Sequence, residues 1–100
     1  MKINIENEAN QIVVRLTGRL DTAAAADITS DFQVISEQAG KHIILDCSKL
    51  EYISSSGLRL FLALRKESAA KGGKLQVRDI NADIRQVFMM TGFISLFEII

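Results

Sequence analysis

Apolar residues recur along this chain with two periods, and the changes of period mark its elements. Lys2 to Glu8 alternates, with Ile3 and Ile5 on one face, and Glu8-Ala9-Asn10 reads as a turn. A second alternation puts Ile12, Val14 and Leu16 on one face and Val13 and Arg15 on the other, with Gly18 expected to end it. The period then lengthens. Ala25, Ile28, Phe32, Ile35 and Ala39 recur at three and four, which predicts a helix capped by Thr22, with Asp21 the competing cap, and closed near Gly40.

His42-Ile43-Ile44-Leu45 is a short continuous apolar run, expected to be a strand covered on both faces. Asp46 to Lys49 reads as a turn, and Leu50, Tyr52 and Ile53 return the chain to the core. Ser54-Ser55-Ser56 offers three N-caps for a helix over 57–71, stopped by Gly72-Gly73. Lys74 to Arg78 alternates again. Asn81 caps a third helix over 82–91, followed by Gly92, and Phe93 to Ile100 is expected as a short closing strand or edge. The order β-β-α-β-α-β-α-β predicts an α/β domain over 1–100, with a mixed four- to five-stranded sheet covered by helices.

Composition narrows the functions. The chain has 100 residues, with twelve basic against twelve acidic side chains. No basic excess marks a nucleic-acid or anionic-membrane surface. No apolar run approaches the roughly 20 residues of a membrane span. The N-terminus lacks the apolar block of a signal peptide, so the expected compartment is cytoplasmic and the single Cys47 is expected as a free thiol. There is no phosphate-binding Gly-x-x-x-x-Gly-Lys loop and no Gly-x-Gly-x-x-Gly fingerprint. One His and one Cys do not make a usual zinc site. No cofactor or metal is expected.

Chemistry concentrates at Ile53-Ser54-Ser55-Ser56-Gly57-Leu58, where a strand meets a helix start. A hydrolase reading makes Ser55 the nucleophile of an incomplete elbow motif and His42 its base. The plainer reading is capping, which needs one serine. The hydroxyls left over sit beside the positive end of a helix dipole, where a phosphoryl group is locally stabilised. Gly57 is expected to leave room beside them. Leu58 and Leu60 lie about 200° apart around a helix, so this helix is either buried on two sides or keeps an apolar face for a partner.

Thr17-Gly18-Arg19-Leu20-Asp21, Ile43-Ile44-Leu45-Asp46 and Tyr52-Ile53-Ser54-Ser55-Ser56-Gly57-Leu58 resemble the bacterial anti-sigma-factor antagonists of the STAS domain family. Ile84 to Phe93 resembles that family's closing helix and turn. The resemblance covers nearly the whole chain and implies a STAS-like fold. It implies a non-enzymatic switch that binds an anti-sigma factor serine kinase, frees the sigma factor, and is reset by a serine phosphatase. Ser56 is then the phosphoacceptor and Ser55 the runner-up. Asp21, Thr22, Ser54, Ser55, Gly57, Leu58 and Leu60 form the expected partner surface, and a monomer is expected. One departure stands out: the family commonly has Asp two residues before the phosphoacceptor, where this chain has Ser54. The alternative is a STAS module of another partner-switching relay or of a transporter-associated complex.

Overall fold

The two N-terminal alternating runs form a hairpin in the computed structural model, which describes residues 1–100. β1 (Lys2–Asn7) pairs antiparallel with β2 (Gln11–Leu20). The chain then alternates through α1 (Thr22–Glu37), β3 (His42–Ile53), α2 (Ser55–Ala70), β4 (Lys74–Arg78) and α3 (Ala82–Thr91). A single 3-10 turn over Phe93–Ser95 leads to β5 (Glu98–Ile99). The sheet order is β1-β2-β3-β4-β5, parallel from β2 onward. Each crossover therefore steps one strand in the same direction. Crossovers of one hand that all step the same way lay their helices on the same face.

The aromatic side chains confirm that arrangement. Phe32 of α1 stacks on Phe61 of α2 at 6.1 Å, Phe61 meets Phe97 at 6.3 Å, and Phe97 meets Phe88 of α3 at 5.9 Å. Ile12, Val14, Leu16, Ile43, Leu45 and Val77 of the sheet join the same cluster. Ile44 and Val13 are buried but lie outside it, on the opposite face. Helices thus cover one face of β3 and not both, which corrects the expectation for His42–Leu45.

The strands also run further than the pattern suggests. Gly18 does not end β2; it takes a φ of 101° beside a register shift, and the strand continues to Leu20. The turn expected at Asp46–Lys49 is strand. Cys47 points into the core, while the Asp46 carboxylate accepts the Ser48 N–H at 3.0 Å. That local bond and the register shift against β2 accommodate four mostly polar residues within the ladder. α1 is capped by Asp21, which accepts the Ala24 N–H at 2.8 Å; Thr22 is its first helical residue. Its last helical residue is Glu37 and its C-cap is Gln38, before Gly40.

Candidate functional site

Parallel strands that each feed a helix bring the helix starts to one end of the sheet. β2 delivers α1 and β3 delivers α2 there, and the Ser54 N–H donates to the Leu20 carbonyl at 2.8 Å, tying the two strand ends together. Ser54 caps α2, its hydroxyl accepting the Gly57 N–H at 3.2 Å. Ser and Asp cap helices about equally well. A serine at this position therefore serves the cap as an aspartate would.

The three serines separate by depth. Ser54 is buried and engaged as the cap; Ser55 is exposed and Ser56 half-buried. Ser56 faces a groove of about 240 Å³ between α1 and α2, lined also by Thr22, Ala25, Ala26, Thr29, Arg59 and Leu60. The alanines shape this groove. They raise helix propensity, but their small side chains also keep the space between α1 and α2 open. Arg59 follows Ser56 by three residues and so stands on the same helix face. With two helix N-termini alongside, the surroundings of the Ser56 hydroxyl favour negative charge.

Thr22, Ser56 and Leu60 are thus brought together. Asp21 is exposed at the start of α1, and Ser55 is exposed outside the groove lining. Gly57 and Leu58 are buried, and with Ser54 they leave the expected partner surface. A Cβ on Gly57 would lie 2.7 Å from Leu20 Cγ and 2.9 Å from Ile53 Cγ1. The glycine lets α2 sit close on the strand ends; the space it leaves is filled by the core and does not open beside the hydroxyl. Leu58 packs inward and Leu60 lies at the groove, which accounts for their wide angular separation. Sequence reasoning missed Arg59 and Thr29. The signal for Arg59 was present in its spacing from Ser56; Thr29 needed the approach of two helices distant in sequence.

The hydrolase arrangement fails on distance. His42 opens β3 and Ser55 lies beyond its end, so the length of the strand holds them at opposite ends of the sheet, far outside hydrogen-bond reach. His42 Nε2 instead lies 2.6 Å from Gln76 Oε1. No group of three or more His, Cys, Asp or Glu is placed to hold a metal, and no helix is long and apolar enough to cross a membrane.

The open face of the sheet has a different character. Asp46 accepts a hydrogen bond from Arg78 at 3.0 Å and lies 3.6 Å from Arg15, which also pairs with Glu6. Burial works to raise the Asp46 carboxyl, but the Ser48 N–H and the Arg78 guanidinium outweigh it and hold the group below its usual value. A cavity of about 260 Å³ on this face is lined by Lys2, Asn4, Thr17, Lys49 and the Arg15–Asp46 pair. It is slightly larger than the groove, but it holds none of Ser54, Ser55 and Ser56, and its arginine is already paired.

The STAS domain family model matches residues 2–100, and the chain belongs to that family. An anti-sigma F factor antagonist of Paenibacillus polymyxa is 30% identical over 101 residues, covering 99% of this chain and 86% of its own. The Bacillus cell fate determinant SpoIIAA, solved in its phosphorylated form, superposes with a TM-score of 0.75 at 25% identity, covering 99% and 91% of the two chains. A STAS domain protein from Planctomyces limnophilus superposes at 0.88 with 18% identity, over 98% and 87%.

Proposed function

We propose that this chain is an anti-sigma factor antagonist whose α1–α2 groove docks the anti-sigma factor and whose Ser56 is the switch. The observation that carries the reading is the placement of Ser56, half-buried in the groove between two helix starts and beside Arg59. The name of the Paenibacillus relative and the phosphorylated form of SpoIIAA support it. The chain has no phosphate-binding loop, so the nucleotide belongs to the partner kinase. Ser56 Oγ attacks the γ-phosphorus of that ATP. A P–O bond forms, the β–γ bridge breaks, ADP leaves, and the hydroxyl proton passes to a base of the kinase. This chain supplies the acceptor and no catalytic group, and a phosphatase resets it by hydrolysis.

The new charge rests well within the free domain, facing Arg59 and the start of α2. Against a docked partner the same charge is desolvated. A buried charge without a counter-ion costs several kcal/mol, and each 1.4 kcal/mol is tenfold in affinity. Mass spectrometry after incubation with the cognate kinase and ATP tests the site. Phosphate on Ser56 is expected, and phosphate on Ser55 would refute the assignment. Ser56→Ala is expected to bind constitutively, and Ser56→Asp and Leu60→Asp to bind at least tenfold more weakly with unchanged circular dichroism. Full binding by Leu60→Asp would move the interface off the groove.

A further inference from the structure

The free edge of β1 carries a self-complementary pattern. Lys2-Ile3-Asn4-Ile5-Glu6 is symmetric about Asn4 in polarity, with opposite charges at its ends. β1 is the first strand of the sheet, so one of its two edges is unpaired. Its ladder with β2 runs without a register shift, and β1 contains no proline, so nothing bends or blocks that edge. The Glu8 N–H donates to the Gln11 carbonyl at 2.8 Å, which makes Glu8 and Gln11 a hydrogen-bonded pair. Alternation along an antiparallel ladder then turns the backbone groups of Lys2, Asn4 and Glu6 toward β2. Those of Ile3 and Ile5 point off the free edge.

We propose that this edge pairs with β1 of a second copy, antiparallel about a two-fold axis at Asn4, joining two sheets into one. Lys2 then stands opposite the second copy's Glu6, and Ile3 opposite its Ile5. Each Ile3–Ile5 pair exchanges two backbone hydrogen bonds, and each Lys2–Glu6 pair occupies the closer, non-bonded position. Charge selects this register. Centring on Ile3 sets Lys2 against Asn4, and centring on Ile5 sets Ile3 against Asn7. Only the Asn4 centre matches opposite charges on the open face and apolar residues on the helix-covered face. Lys2 and Glu6 are exposed, Glu6 being also held by Arg15, and Ile3 and Ile5 are half-buried against the core, so the pairing extends that apolar layer. The arrangement is isologous and closes at two copies. A single strand pair buries less than the roughly 1,200 Å² of a standard stable interface, so the dimer is weak and concentration-dependent.

Sedimentation equilibrium from micromolar to millimolar protein, with amide chemical shifts over the same range, tests the proposal. Self-association is expected, with shifts concentrated on residues 2–7. Lys2→Glu and Glu6→Lys, each alone, set like charges opposite one another and are expected to weaken association about tenfold or more. An equimolar mixture of the two restores every opposite-charge pair and is expected to recover it. Glu6→Lys also loses the contact with Arg15. Ile3→Pro therefore serves as a second variant, removing an N–H that bonds nothing within the chain; it is expected to abolish association while keeping the native circular dichroism. A wild-type chain that stays monomeric at millimolar concentration would overturn the proposal. So would association indifferent to Lys2→Glu, or shifts centred on the α1–α2 groove.

Discussion

The two faces of the sheet are built from the same strands and behave as different materials. One face, sealed by three helices, is a continuous apolar layer running from Ile12 through Leu45 to Val77 and out to four phenylalanine rings. The other buries Val13 and Ile44 without a helix, beneath a lattice of Glu6, Arg15, Asp46, Arg78, His42, Gln76 and Glu98. Strand alternation alone creates the difference, since successive side chains point to opposite faces. Stability is concentrated on the covered face, and the open face is held by long polar side chains lying across one another.

The largest effect expected from this contrast is at Phe61, which is fully buried and sits between the rings of Phe32 and Phe97. Phe61→Ala is expected to cost about 3–5 kcal/mol, read by urea unfolding. Gly57→Ala comes next. Its new methyl meets Leu20 and Ile53 below 3.0 Å, and overpacking of this kind costs about 1–3 kcal/mol. Because Gly57 adjoins Ser56, the same variant is expected to slow phosphorylation; a variant as stable as the parent would mean that α2 can shift without loss.

That position shows where sequence reading reached and where it stopped. The element order, the helix stripes and the Ser-Ser-Ser-Gly helix start are local patterns, and a period or a capping residue suffices to read them. The extent of β3 through Asp46–Lys49 was not legible, because a polar tetrapeptide looks like a turn until its carboxylate has an arginine from β4 across the sheet. The groove was half legible. Ser56 and Leu60 announce themselves by type and spacing, whereas the burial of Gly57 depends on Leu20 and Ile53, brought there by the crossover.

Neighbouring residues sharpen the comparison of faces through pH. Cys47 lies on the covered face, and burial first, then the charges of Asp46 and Asp79, push its thiol up to about 12 from 9.0. The raised value favours the protonated folded state, so the contribution is intact below pH 9 and is lost as pH rises toward 12. At pH 10 the loss is about 1.4 kcal/mol, and a Cys47→Ala chain is expected to lack that component of the alkaline decline. In native protein at pH 8 the thiol is expected to resist thiol reagents until the chain unfolds. Asp46, one residue earlier on the open face, has the opposite sign. Its lowered value stabilises the fold above its unfolded value near 3.8, and that support is lost as pH falls below it. Asp46→Asn is expected to cost about 1 kcal/mol, because both arginine partners retain access to water. It is also expected to flatten the acid limb of the stability curve.

The smallest effect belongs to neither face but to the sheet end where the helices begin. α2 has no acidic residue in its first turn, so the positive end of its dipole lacks a fixed counter-charge. An acidic side chain there stabilises a helix by about 0.3–1 kcal/mol. Ser56→Asp is therefore expected to raise the melting temperature by a few degrees, given about 4–8 °C per kcal/mol in a domain of this size. The gain should shrink in high salt, which screens the dipole. Ser56→Lys is expected to lower the melting temperature by a similar amount. A stabilised Ser56→Asp that no longer binds its partner would separate the two consequences of charge at this serine, favourable within the domain and unfavourable across the interface. A destabilised Ser56→Asp would instead attribute lost binding to a disturbed α2, and the switch would then be conformational rather than electrostatic.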